Sequence, residues 1–249
     1  MNLLYSIARI IFFFDRRIFA WFIAIFLAPG LSNAGEFVRQ AALSEDGSML
    51  RDGWHFVSER HGTRVFNRSW AGSPIPEVLA RVVIHVPPKR LYAVITDYDH
   101  FTEFLPYVTS SRILRREGET RFVHQRLHLP APLADRYYTI ASTQVRLPEN
   151  IFRVEWHIVP DSGVTTPGEE GLIPSAFSGF WELTPNEDGT VTHAVYSIRF
   201  DPGGAVPSWL ATLAMNRYVP KVVEAVRAKA MQPVVGDARE SNPPDVKPR

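Results

Sequence analysis

Residues 191–231, VTHAVYSIRFDPGGAVPSWLATLAMNRYVPKVVEAVRAKAM, decide the fold. The opening of this stretch reads as a strand returning antiparallel to Ser178–Leu183. Asn186-Glu187-Asp188-Gly189 supplies the hairpin turn between them, because Gly189 takes positive φ at little cost. Asp201-Pro202-Gly203-Gly204 ends that hairpin. From about Pro207 to Met231 the spacing predicts a long helix. Pro207 and Ser208 suit its start, and Leu210, Leu213, Val219, Val222, Val223 and Val226 supply an apolar stripe with drift. Pro220 removes an internal hydrogen bond and is expected to bend the helix.

Outward from this stretch the chain reads mostly as strands. Ile151–Val159 places Phe152, Val154, Trp156 and Ile158 on one face and Arg153, Glu155 and His157 on the other, which is a half-buried strand. Asp135–Leu147, Thr120–Leu129 and Thr109–Arg116 alternate in the same way, and Glu117-Gly118-Glu119 turns between the last two. Val78–Val86 is a strand ended by Pro87-Pro88. Lys89–Thr96 then carries Leu91, Val94 and Ile95 at helical spacing, and Phe101–Leu105 reads as a second short helix stopped by Pro106. Further upstream, Thr63–Arg68 is a strand, and the segment from Trp54 to Val57 is either a short helix or an extended lead-in. The order is strand, two short helices, about six antiparallel strands and a long helix. One curved sheet closed by that helix is the economical solution, and it leaves a cavity between them.

Composition sets the bounds. The chain has 249 residues, 45% hydrophobic and 21% charged, so it can bury one sizeable core. A formal net charge of +1 argues against nucleic-acid binding through a broad basic surface. The absence of cysteine removes disulfides, thiol catalysis and thiolate metal sites.

Residues 1–34 read as an export signal or a retained inner-membrane anchor. Arg16 and Arg17 precede an apolar run from Ile18 to Ala28, Pro29-Gly30 breaks it, and Ser32-Asn33-Ala34 offers a cleavage site. The run falls short of the roughly twenty residues that span a bilayer, although Leu3 to Phe14 is already apolar, which suits an anchor. The expectation is a periplasmic or otherwise exported protein with its domain over residues 35–232. Within it a short helix is expected from Gly35 to Met49. A polar tail, residues 233–249, follows and carries Pro243, Pro244 and Pro248.

Several pieces form an ordered set. They are Asp52-Gly53-Trp54, Val86-Pro87-Pro88 before a helix, Asp97-Tyr98, Phe104-Leu105-Pro106, and Leu129-Pro130-Ala131-Pro132 followed by Asp135-Arg136-Tyr137-Tyr138. Gly179-Phe180-Trp181-Glu182-Leu183 and Asp201-Pro202-Gly203-Gly204 before Pro207-Ser208-Trp209-Leu210 complete it. The set resembles the START lipid-transfer domains of the helix-grip superfamily, which also holds Bet v 1-like and polyketide cyclase-like proteins. The resemblance covers roughly Trp54 to Met231. It implies an α+β fold, a curved antiparallel sheet wrapped around a long C-terminal helix, with an apolar tunnel between them. It also implies binding and transfer of a lipid or other hydrophobic small molecule, transient contact with a membrane surface, no nucleic acid, no cofactor and no covalent chemistry. Two alternatives stay open: a cyclase- or aromatase-like enzyme acting on a hydrophobic substrate, and a protein-interaction module without ligand.

The resemblance places Arg136 near the cavity, where a guanidinium either clamps a ligand carboxylate or phosphate or pairs with Asp135. Tyr138, Trp156 and Trp181 are candidate ligand contacts on the sheet. Trp209, Leu210 and Leu213 are candidates at the start of the last helix, where they also suit a gate facing the Gly163–Ser178 loop. No metal site is expected: His124 and His128 lie on a strand about 13 Å apart, too far to share an ion. No nucleophile elbow or phosphate loop is present, and no catalytic residue is assigned.

Overall fold

The computed structural model describes residue 49 and residues 52–130, 133–159 and 171–233. The expected signal or anchor, the proposed helix up to its last residue, the tail beyond residue 233 and the first half of the Gly163–Ser178 loop lie outside the described residues. Among those described, no helix is long and apolar enough to cross a membrane.

Nine strands form one sheet. They are β1 (His55–Arg60), β2 (Thr63–Arg68), β3 (Glu77–Ile84), β4 (Val108–Glu117), β5 (Thr120–Leu127), β6 (Arg136–Arg146), β7 (Phe152–Val159), β8 (Ala176–Pro185) and β9 (Thr192–Asp201). Their spatial order is β1-β2-β3-β9-β8-β7-β6-β5-β4, with every neighbouring pair antiparallel. The chain lays down β1 to β3 at one edge and crosses through helix α1 (Pro88–Ile95) and a 3-10 turn (Tyr98–Glu103) to the other edge. It then meanders back until β9 pairs with β3. Helix α2 (Ser208–Met231) closes the concave face.

The sheet has more strands than the sequence order suggested, and the difference starts at β1. His61-Gly62 forms a two-residue loop in which both residues have positive φ, 50° and 73°. That geometry matches the twist of a tight hairpin, so the segment after Trp54 is extended rather than helical. Phe56 then meets Phe66 edge to face at 5.7 Å. The second short helix is a 3-10 turn that begins earlier than its apolar residues implied.

Helix α2 buries Ala211, Met215, Val219, Val222, Val223, Val226 and Ala230. Counting back from Val219 in steps of four reaches Met215 and Ala211, so the inward row misses Leu213. Six residues before Val219, Leu213 is rotated about 120° off that row and is 40% exposed. The helix continues through Pro220 to Met231. Pro88 sits in the first turn of α1, where its missing N–H costs nothing, and Leu91 and Ile95 of α1 are buried. The concave side holds the main core. A smaller cluster of Trp54, Phe66 and Leu79, with Met49 and Val195, packs on the opposite face of β2, β3 and β9.

Candidate functional site

The concave faces of the sheet and α2 enclose a cavity of about 460 Å³. Period-two alternation sends Tyr138, Ile140 and Ser142 of β6, Val154 and Trp156 of β7, and Phe177 and Trp181 of β8 into its wall. From β9 come Tyr196, Ile198 and Phe200, and Leu210, Ala214 and Tyr218 belong to α2. Gly179 of β8 stands directly opposite Trp156 in the strand register. With no side chain at 179, the Trp156 ring lies across β8 and stacks on Tyr196 at 5.9 Å. Trp181 stacks on the same tyrosine at 4.5 Å. Phe177 meets Tyr138 and Phe200 edge to face. One wall is therefore a continuous aromatic surface carried on four adjacent strands.

Few polar groups interrupt that wall. The Tyr138 hydroxyl donates to Gln125 Oε1 at 3.1 Å, and Gln125 Nε2 donates to Ser111 Oγ at 3.1 Å. The three residues are direct cross-strand partners on β6, β5 and β4. The Tyr98 and Ser142 hydroxyls share a hydrogen bond of 2.8 Å. Burial pushes the Tyr138 and Tyr196 phenols well above their ordinary value, and raises Tyr218 for the same reason. All three stay protonated at neutral pH. The indole N–H of Trp156 is buried without a hydrogen-bond partner. Among the described residues of the lining there is no Asp, Glu or His, and the charged members are Arg217 and Lys221 of α2. Among the described residues no cluster of three or more His, Asp or Glu side chains is placed to hold a metal ion.

Residues 84–227 match the profile of the family described as polyketide cyclase / dehydrase and lipid transport. The chain belongs to this family. It is 25% identical over 166 residues to an uncharacterized protein of Pseudomonas aeruginosa, a match spanning 66% of this chain and 80% of that one. Among solved structures it is similar to the STAR-related lipid transfer protein from Xanthomonas axonopodis. That match has a TM-score of 0.66 and 25% identity, and covers 73% of this chain and all of the other. The human STARD10 crystal structure matches with a TM-score of 0.65 and 16% identity over 81% of each chain, a likeness of fold. The sheet and closing helix are thus the helix-grip fold that the sequence resemblance implied.

In this family member the residues singled out from the sequence divide into two groups. Tyr138, Trp156, Trp181 and Leu210 all stand in the cavity wall. Arg136, Trp209 and Leu213 do not. Trp209 is 68% exposed on the first turn of α2. Arg136 is 1% exposed, but its guanidinium is directed at backbone oxygens rather than at the cavity. Nε donates to Pro202 O at 2.5 Å, Nη1 to Ala134 O at 2.5 Å and Nη2 to Gly203 O at 3.3 Å. Nor does it pair with the carboxylate of Asp135. That carboxylate instead accepts from Arg126 at 2.9 Å and meets His128 Nδ1 at 2.9 Å. Arg136 joins the start of β6 to the turn that launches α2, beside a bridge to Leu172.

Other wall residues had not been singled out. Tyr196 faces Trp181 across the β8–β9 register, so the pairing that predicted the hairpin also pointed to it. Tyr218 and Lys221 follow Leu210 and Ala214 along one side of α2 at helical spacing. Tyr107 precedes β4 with a φ of 66° and stacks on Tyr218 at 5.9 Å. A non-glycine residue in that region is held by its surroundings at a cost of order 1 kcal/mol or more.

Proposed function

We propose that this chain binds a single hydrophobic molecule in the cavity and carries it between membranes without covalent chemistry. The observation that carries the reading is the composition of the wall. A volume of about 460 Å³ falls in the usual range for small-molecule sites, and the lining is mostly aromatic and aliphatic with few polar groups. Transfer of apolar ligand surface out of water supplies roughly 25 cal/mol per Å² before ordering costs. The family description spans cyclases as well as lipid transport. The lining favours carriage. A general base needs a group that accepts a proton near neutral pH, and the described wall offers phenols whose values burial has raised further. The export pattern in residues 1–34 supports a periplasmic place of action, with Gly35 as the first residue of the mature chain.

Native mass spectrometry of protein recovered from its own host, followed by solvent extraction, tests the reading. The expected result is one apolar molecule per chain, released unchanged. A chain that is empty and takes up no apolar probe would sink it. N-terminal sequencing of the same material tests the compartment: a chain still starting at Met1 and held in the membrane after a salt wash would replace export by anchoring.

A further inference from the structure

The cavity wall is charged on one side and in one sign. Arg217 and Lys221 are the charged residues of the described lining, both are exposed, and they stand four apart on α2. That spacing places them on the same side of the helix, about 6 Å apart along its axis. They continue the row Leu210 and Ala214, whose members also line the cavity. Neither has a carboxylate partner among the described residues. Other α2 cations do: Arg227 pairs with Glu224 at 3.1 Å and Lys229 with Glu103 at 2.9 Å. Lys221 Nζ lies 3.4 Å from the Tyr107 hydroxyl and 5.7 Å from the centre of its ring. Tyr107 in turn stacks on Tyr218. The positive φ of Tyr107 thus holds an aromatic ring beside Lys221 at the edge of the cavity.

Resting on the hydrophobic-ligand reading, we propose that the ligand is an anionic amphiphile. Its carboxylate or phosphate headgroup is held at the rim by Arg217 and Lys221, and its apolar body lies against the aromatic wall of Trp156, Phe177, Trp181 and Tyr196. An anion at this place gains two charge-assisted hydrogen-bond donors. A neutral headgroup leaves both cations hydrated and gains little. A cationic headgroup meets two like charges and, in the described lining, no acid. The order of preference is therefore anion, neutral, cation for one and the same apolar chain. The cavity volume suits one chain or one small ring system rather than a bulky two-chain lipid.

Isothermal titration of the full chain with four probes of equal chain length tests this. They are dodecanoate, dodecyl phosphate, 1-dodecanol and dodecyltrimethylammonium, the ionic probes below the concentration at which they form micelles and the alcohol below its solubility limit. Dodecanoate or dodecyl phosphate should bind roughly 10-fold tighter than 1-dodecanol, and the tighter of the two identifies the headgroup. The double variant Arg217→Gln/Lys221→Gln should bring the anion down to the alcohol while the alcohol itself binds as before. Arg217→Glu/Lys221→Glu should bind dodecyltrimethylammonium in preference to dodecanoate. Both residues are exposed, and an unchanged circular dichroism spectrum will show that the variants fold. Equal binding of alcohol and anion by the unaltered chain would overturn the headgroup assignment and leave the hydrophobic-ligand reading standing. Failure of all four probes would overturn both. A loss confined to binding of anionic vesicles, with monomeric dodecanoate unaffected, would assign the two cations to a membrane surface and overturn the proposal.

Discussion

A β-carbon on Gly179 would stand 2.6 Å from Cζ2 of Trp156 and 2.2 Å from the carbonyl oxygen of Ser197. Neither distance is tolerated in a folded protein, and the second involves backbone that cannot swing away. Gly179 is therefore required twice, for the strand approach and for the ring that crosses it. Gly179→Ala should destabilise the fold by roughly 3 kcal/mol, the upper end of overpacking, read as a lower urea midpoint. In a Trp156→Ala background, Gly179→Ala should cost less than it does in the unaltered chain but still lower the midpoint below that of Trp156→Ala alone, because the Ser197 oxygen stays where it is. No further loss in that background would show that the ring alone imposes the glycine.

Arg136 makes a different prediction, because every acceptor it meets is a backbone carbonyl. Arg136→Met would leave the carbonyls of Pro202, Ala134 and Gly203 without their donor in a buried setting. A loss of about 2–4 kcal/mol is expected from unsatisfied buried groups. Arg136→Lys keeps the charge but not the planar fork and should fold. The amides of Tyr137 and Leu172 bond to Leu172 O and Asp135 O in the same joint. Hydrogen exchange should quicken at those two amides in the lysine variant and stay slow along β3 and β9. Uniform quickening would mean that Arg136 supports the whole fold rather than this joint.

These two residues mark how far the sequence could be read. The alternation in β7 was enough to put Val154 and Trp156 on the inward face, and the glycine turns fixed the hairpins, because side-chain period and turn chemistry are local. Arg136 shares its face with Tyr138, so its inward direction was legible. Its partners were not, since carbonyls of a turn some 66 residues away carry no residue-type signal. Leu213 lies outside the wall for another reason. The apolar stripe drifts along α2, and the inward row runs through the small residue Ala211, which looks neutral in a pattern, rather than through Leu213.

Glu77 carries the pH dependence of the opposite face. Burial alone would raise its carboxyl, but hydrogen bonds from Ser197 at 2.6 Å, Arg68 at 2.9 Å and Arg199 at 3.1 Å outweigh it and hold the group below its ordinary value. A carboxyl lowered on folding contributes stability that is present above its unfolded value, about 4.3, and that is lost as pH falls through the folded value. Melting temperature should therefore fall between pH 6 and pH 3. Glu77→Gln should cost roughly 1–3 kcal/mol at pH 7, and the gap to the unaltered chain should narrow below about pH 4. A gap that stays constant down to pH 3 would assign the loss to packing rather than charge.

The exposed start of α2 gives the last prediction. Trp209 is 68% exposed and Leu213 40%, while the turn before them, Gly203-Gly204, packs against Ile173 and Leu172, which are exposed as well. Large apolar side chains in water at one end of a cavity have no folding role to lose, and indole is well suited to the boundary between water and lipid. If the chain delivers its ligand to membranes, this end is where the lipid surface meets it. Trp209→Ser/Leu213→Ser should then leave the melting temperature within about 2 °C. It should also leave uptake of a soluble apolar probe unchanged, because neither residue stands in the wall, yet slow probe transfer to vesicles severalfold. Leu210→Ser separates the two roles, since Leu210 does line the cavity and should weaken probe uptake itself. Transfer at the original rate in the Trp209/Leu213 variant would place membrane contact elsewhere on the surface.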